Sequence, residues 1–136
     1  MLLAVVIIGA VGGLVYIAQP PALGETFTEF YLLGPEGKAE GYPDVIMLGR
    51  EAIVTLGVIN HQQETTDYHI KIVIGGQEVG GVGTITLADK EEWEQRVSFT
   101  PFEAGEAQKV EVRLYRSFDS NAYHTLDFWV DVVGNQ

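Results

Sequence analysis

Three histidines are the residues best suited to bind zinc in this sequence, since it contains no cysteine. His61, His69 and His124 show neither HxH nor HExxH spacing, and three separate strands would have to bring them together. We therefore expect no metal site and interpret them as surface or turn residues. Asn60 stands at the end of a predicted strand, where its side chain is expected to cap the following turn.

Acidic clusters are the second candidate for chemistry. Glu91, Glu92 and Glu94 stand close together, as do Asp127 and Asp131, and carboxylates bind Ca²⁺ when carbonyl oxygens complete its coordination. The sequence has no D-x-D-x-D loop, so a solvated acidic face is the favoured interpretation. We expect neither a metal ion nor a cofactor.

No arrangement typical of a catalytic centre stands out. A G-x-S-x-G motif is absent, and Ser98, Ser117 and Ser120 fall in predicted strands or turns. The glycine-rich residues 80–83 lack the helix and the Lys-Ser/Thr pair that complete a phosphate-binding loop. Because there are 19 acidic residues, the sequence alone selects no pair of carboxylates for glycoside hydrolysis. We predict that the protein is not an enzyme, and we identify no small-molecule substrate.

The overall composition restricts the partners further. A chain of 136 residues makes one domain of ordinary size. Its net charge of -11 argues against nucleic acid as a partner, because binding to phosphates requires a basic surface. The absence of cysteine excludes disulfides, thiolate catalysis and a lipid-modified cysteine.

The charges divide the chain into two parts that must be built differently. All 8 basic and 19 acidic residues lie from Glu25 onward. Residues 1–18 are apolar, Gly or Tyr and, as a helix, would span about 27 Å, enough to cross a bilayer core. We predict a hydrophobic helix over residues 1–19, a Pro-rich linker over 20–25 and a folded domain over 26–136. Small residues on one face of this helix are predicted to allow close helix–helix packing: Gly9, Ala10, Gly12 and Gly13.

The hydrophobic segment lacks the basic flank of an ordinary signal or anchor, since the first basic residue is Lys38. Three explanations stay open: a chain trimmed from a longer membrane protein, a start oriented by its α-amino group, or removal of a basic leader. The third is the processing of type IV pilins and archaellins, which residues 1–18 weakly resemble.

Beyond residue 24, apolar and polar residues alternate with a period of two, the pattern of half-buried strands. We predict seven strands, at residues 26–33, 52–59, 68–74, 82–87, 93–99, 109–114 and 125–132. Gly75 and Gly76 are expected to form a tight hairpin turn. This pattern predicts a mainly β, immunoglobulin-like antiparallel β-sandwich with an apolar core, formed by Ile70, Ile72, Trp93, Phe99 and Phe128.

Several stretches resemble the domain of unknown function 1616 family, which is largely archaeal. They are GETFTEFYLLGPEGKAEGYP at Gly24–Pro43, the turn at Val58–His61, the Glu92–Glu94 stretch and the strand Leu126–Val130. The resemblance implies a β-domain placed outside the membrane after one or more spans. It implies no activity, and no site residues can be transferred from it.

Two functions are compatible with these observations. The first is a structural subunit of a cell-surface filament, in which the apolar helix packs with copies of itself and the acidic sandwich faces outward. Such a subunit would reside in the membrane before assembly. The second is a single-pass, membrane-anchored extracytoplasmic binding domain, such as an accessory subunit of a membrane complex.

Overall fold

The computed structural model describes the backbone of residues 5–10, 13–18, 26–117 and 119–134, and in these residues every regular element is a β-strand. Two strands, Val5–Ala10 (β1) and Gly13–Ala18 (β2), form a separate two-stranded hydrogen-bonded sheet, in which β2 lies close to the strand that begins at Phe27. The other eight are joined in one hydrogen-bonded order: Phe27–Leu33 (β3), Val45–Met47 (β4), Ala52–His61 (β5), Thr66–Ile74 (β6), Gln77–Leu87 (β7), Glu92–Phe99 (β8), Gly105–Arg116 (β9) and His124–Val133 (β10).

The eight strands form two sheets that face each other. One sheet has the order β3-β5-β8 and the other β7-β6-β9-β10-β4, and a single residue pair, Gly80 opposite Phe99, links them. A Cβ added at Gly80 would lie 2.7 Å from the Ser98 carbonyl oxygen, so the close approach of β7 to β8 requires glycine there. All pairings are antiparallel except that of β4 with β10. The prediction of a mainly β domain is confirmed.

The core lies between the two sheets and follows the alternation in the sequence. Ile70, Ile72, Phe99 and Phe128 are buried, and the rings of Phe99 and Phe128 meet edge to face with centroids 6.2 Å apart. Trp93 was predicted as a core residue but is only partly buried against it. Trp93 lies near the start of β8, whose described pairing with β7 is confined to Phe99 at the other end of the strand.

Two details of the strand prediction differ in outcome. The Gly75-Gly76 turn is confirmed, because β6 ends at Ile74, β7 begins at Gln77, and both glycines have positive φ, at 59° and 83°. The sequence pattern missed β4 altogether. A strand of three residues is too short to show a period of two, and it forms only because β10 offers a parallel neighbour at 131–133.

The helix predicted over residues 1–19 is not shown. The described backbone there pairs β1 with β2, with Gly9 opposite Leu14 and Ala10 opposite Gly13; Gly12 and the predicted linker at 20–25 lie outside the described residues. A continuous run rich in Val and Ile suits strands as well as a helix, because β-branched side chains favour extended backbone. Among the described residues, no helix is long and apolar enough to cross a membrane.

Candidate functional site

A buried polar network closes the end of the sandwich at which β3 begins; we call it the polar end. Thr28 in β3 is fully buried, and its hydroxyl lies 2.8 Å from the Tyr68 hydroxyl of the facing sheet. The amide nitrogen of the Gln62 side chain donates to the same Thr28 oxygen over 2.8 Å. The Thr28 carbonyl is 2.9 Å from Nε2 of His124. Thr28 thus forms hydrogen bonds with three side chains, those of Tyr68, Gln62 and His124.

The direction of each hydrogen bond in this network is determined by Asn60, which is also fully buried. Its Nδ2 donates to the carbonyls of Glu64 and Leu87, both at 2.8 Å, so both amide hydrogens are used. Its Oδ1 accepts from the backbone N–H of Gln62 at 2.8 Å and from the Tyr68 hydroxyl at 3.2 Å. Tyr68 therefore donates to Asn60, and the Thr28 hydroxyl donates to Tyr68. The predicted capping role of Asn60 is confirmed and extended across the sandwich.

A stack of rings covers the network on the side of β9 and β10. The guanidinium carbon of Arg116 lies 4.0 Å from the centre of the Tyr123 ring, which packs on His124 at 4.4 Å. Burial lowers the pKa of His124, the hydrogen bond to the Thr28 carbonyl raises it, and the charge of Arg116 lowers it again. Because a carbonyl oxygen only accepts, Nε2 of His124 carries the proton.

The other two histidines lie elsewhere, so the structure does not bring the three together. His61 is 2.7 Å from a carboxylate oxygen of Glu29 and stacks on Phe27, whereas His69 stacks on Tyr115 at 4.7 Å. Within the part of the chain that the structure describes, no group of three His, Cys, Asp or Glu residues is placed to hold a metal ion.

The acidic residues of the predicted clusters separate into different local roles. The Tyr31 ring lies across Gly57, where an added Cβ would be 1.9 Å from its Cζ, and reaches Glu92 at 2.5 Å and Glu94 at 2.8 Å. Partial burial raises the pKa of Tyr31, and both hydrogen bonds act in the same direction. Glu91 instead accepts from the backbone N–H of Ala88 and closes the turn before β8.

The predicted pair Asp127 and Asp131 also does not form one site. Asp127 is 3.6 Å from Nζ of Lys109, and Asp131 accepts the backbone N–H of Ala107. Both contacts belong to the outer face of β9 and β10, so each carboxylate has its own partner within the sheet.

Apolar residues are exposed on the outer face of the opposite end, where β4 pairs with the last residues of β10 and Asp131 lies opposite Val45. Five large hydrophobic residues are exposed in the described part of the chain, and four belong to these two strands. We call these four the β4 edge patch: Val45, Met47, Trp129 and Val133. Large apolar residues gathered on a surface usually mark an interaction site.

Sequence reasoning missed both surfaces. The signal for the polar end was present, because Thr28 and Tyr68 occupy inward positions of predicted strands that are otherwise apolar. The signal for the β4 edge patch was absent, since no pattern predicted β4. The predicted packing residues Gly9, Ala10 and Gly13 fall in β1 and β2.

Comparison with known proteins agrees with this geometry. The sequence model of the domain of unknown function family DUF1616 matches residues 21–131. The crystal structure of the CARDB domain of the PF1109 protein from Pyrococcus furiosus, in complex with di-metal ions, superposes with a TM-score of 0.56 at 18% identity. That match covers 85% of this chain and 100% of the other.

A solution NMR structure of the same CARDB domain gives a TM-score of 0.55 at 19% identity, covering 80% of this chain and 96% of that one. At such identity the likeness concerns the fold, and it agrees with an immunoglobulin-like β-sandwich. No curated protein matches the chain.

Proposed function

The chain belongs to the domain of unknown function 1616 family, and we propose that it is a non-enzymatic structural subunit of a cell-surface filament. The basis is the difference between its uncharged first segment and its acidic domain. In this proposal the apolar residues 1–18 pack with copies of themselves, and the acidic sandwich forms the outer surface. The net charge of -11 keeps such an exterior solvated.

One contrast carries the proposal. The sandwich has its own hydrophobic core, whereas the apolar segment must bury its residues against something else. The described sandwich buries most of its large apolar residues between its two sheets. Residues 1–18 contain no charged residue, and the described part of this segment pairs as two short strands, of which β2 lies close to β3. A two-stranded sheet on its own is only marginally stable in water. The segment therefore requires other copies or lipid around it.

The polar end supports a structural role for the junction between the two parts. The network at Thr28 holds the first residues of β3, directly after the apolar part of the chain. In a filament, the load between neighbouring subunits passes through this junction. Buried hydrogen bonds to a facing sheet and to a loop resist separation of β3 better than one strand pairing would.

Electron microscopy of material sheared from cells that express the full chain tests the proposal. We expect fibres that contain this chain, and Gly9→Leu is expected to abolish them by preventing close approach at a small residue. Ile8→Leu, which keeps the side-chain volume, is the matched control and is expected to assemble. Normal fibres from Gly9→Leu would contradict packing through the small residues.

A second candidate is an extracytoplasmic binding domain fixed in the membrane through the same segment. It is favoured by the length of the uncharged run, which as a helix would match a bilayer core of about 30 Å. Recovery of the chain only in detergent-solubilised membranes, with no sheared fibres, would support this function over the filament.

A further inference from the structure

An open cleft of about 520 Å³ lies on the outer face of the β3-β5-β8 sheet. The loop that follows β3 forms one wall through Pro35–Gly37, and β8 forms the other through Glu94–Arg96. Thr55 of the central strand β5 also lines the cleft, on the side of that strand opposite the core residues Val54 and Leu56. The volume falls within the range of about 300–1,000 Å³ that is usual for small-ligand sites.

The loop wall is fixed by its own backbone. The N–H of Gly34 donates to the Lys38 carbonyl over 2.8 Å, and the N–H of Gly37 donates to the Gly34 carbonyl over 3.0 Å. A Cβ at Gly34 would collide with the Glu40 carbonyl oxygen, and Gly37 has a φ of 74°, so both positions favour glycine. A preformed wall reduces the entropy that ordering a loop would cost on binding.

Thr55 brings to this cleft a hydroxyl that lacks a partner. The residue is 3% exposed, and its Oγ1 is the one buried side-chain polar atom of the described residues without a hydrogen bond. Arg96 lies opposite Thr55 on β8, is exposed and forms no ion pair with a described residue. The large majority of buried polar atoms are bonded, so this hydroxyl indicates a position that a polar ligand group would complete.

The charges around Thr55 favour an uncharged ligand. Glu36 and Glu94 would repel an anion, and Arg96 would repel a cation. A neutral group that both donates and accepts suits all three side chains, because it can donate to the carboxylates and accept from the guanidinium. Alcohol groups have this property, and a sugar carries several of them on one ring.

Tyr31 supplies a flat surface next to the cleft. A Cβ built at Gly57 would lie 1.9 Å from Cζ of Tyr31 and 2.3 Å from each Cε, so the ring lies face-on across Gly57. Its hydroxyl contacts Glu92 and Glu94, and Glu94 also lines the cleft. One hydroxyl hydrogen serves one carboxylate at a time, which leaves the other able to accept from a ligand. The outward face of the ring suits the C–H face of a pyranose, because aromatic faces carry negative charge density.

We infer that this cleft binds a neutral saccharide. The Tyr31 ring packs against one face of the sugar, and its hydroxyl groups form hydrogen bonds with Glu94, Arg96 and Thr55. A peptide strand suits the cleft less well, because the backbone of β5 at Thr55 is paired with β3 and β8 and offers no free edge. The inference does not depend on the proposed filament, since every residue of the cleft belongs to the described sandwich.

Saturation-transfer NMR tests the inference on the full chain in a detergent without sugar headgroups. The probes are three neutral hexasaccharides: maltohexaose, cellohexaose and mannohexaose. We expect saturation transfer to at least one of them, and a dissociation constant about tenfold higher for Arg96→Ala, which loses a charged donor. Arg50→Ala removes the same side chain from an exposed position outside the cleft and is expected to bind like the parent chain.

Three results would overturn the saccharide site. The first is no transfer to any of the three hexasaccharides, and the second is equal binding by the parent chain and Arg96→Ala. The third is binding of a capped Gly-Ser hexapeptide in place of the sugars, which would assign the cleft to peptides.

Thr55→Val separates binding from folding. Valine has nearly the same shape and removes the unpaired hydroxyl, so the melting temperature is expected to stay equal or to rise. The dissociation constant for the hexasaccharide is expected to rise by about threefold or more, because one hydrogen bond to the sugar is lost. A lower melting temperature with unchanged binding would show that the hydroxyl serves the fold and would contradict its place in the cleft.

Discussion

At the end where β3 begins, Thr28, Asn60 and Tyr68 bury their polar atoms and bond them, whereas at the opposite end β4 exposes Val45 and Met47 beside an edge left unpaired among the described strands. The first arrangement stabilises the domain, because a buried polar group without a partner is costly. The second adds little to folding and leaves surface available for another chain. Substitutions at the two ends should therefore separate stability from assembly.

Asn60→Ala is expected to have the largest effect on stability. It removes an amide that bonds two carbonyls, one backbone N–H and the Tyr68 hydroxyl, all at a fully buried position. Leaving several buried groups without partners is expected to lower the free energy of unfolding by about 3 kcal/mol. Urea denaturation followed by tryptophan fluorescence measures it.

Asn121→Ala is the control for this change, because Asn121 is exposed in the loop before β10. It is expected to alter the free energy of unfolding by less than about 0.5 kcal/mol. Equal stability of the two variants would mean that the polar end is not a stabilising element, and the contrast between the ends would be lost.

Tyr68→Phe removes one hydroxyl and keeps the buried ring. The change leaves the Thr28 hydroxyl without its acceptor and Asn60 Oδ1 with one donor fewer. We expect a loss of about 1.5 kcal/mol in the free energy of unfolding, roughly half the effect of Asn60→Ala. The double variant should lose less than the sum of the two single losses, and strict additivity would show that the two residues act independently.

Mild acid should weaken the polar end through His124. Because the folded state lowers the pKa of His124, the unfolded chain takes up the proton first, near the ordinary value of 6.5. Stability is therefore expected to fall between pH 7 and pH 5.5, by at most about 1 kcal/mol. The measurement is the difference between the parent chain and His124→Gln at both pH values. A difference that stays constant with pH would contradict this role of His124.

Much of the sandwich follows from the alternation of apolar residues, because burial on one face imposes a period of two on each strand. That pattern located the strands containing Ile70, Phe99 and Phe128. It does not report which part of a strand has a neighbour on both sides, and the partly exposed Trp93 lies where β8 pairs with β5 but, among the described strands, not with β7.

Local sequence was less informative about the two ends. The capping role of Asn60 could be predicted because it is local, whereas its bond to Tyr68 joins facing sheets and depends on the tertiary fold. β4 owes its conformation to a distant neighbour in β10. The apolar residues 5–10 and 13–18 fit a helix and a strand equally by composition, so their pairing was not predictable.

Trp129→Gln should have the smallest effect on folding and gives the sharpest comparison with the polar end. Trp129 belongs to the β4 edge patch and is 60% exposed, so folding buries little of its ring. Its replacement is expected to change the free energy of unfolding by no more than about 0.5 kcal/mol. In the proposed filament the β4 edge patch is available for contacts between subunits, so loss of this aromatic side chain should raise the concentration needed for polymer formation. A large loss of stability without any change in assembly would reverse the roles assigned to the two ends.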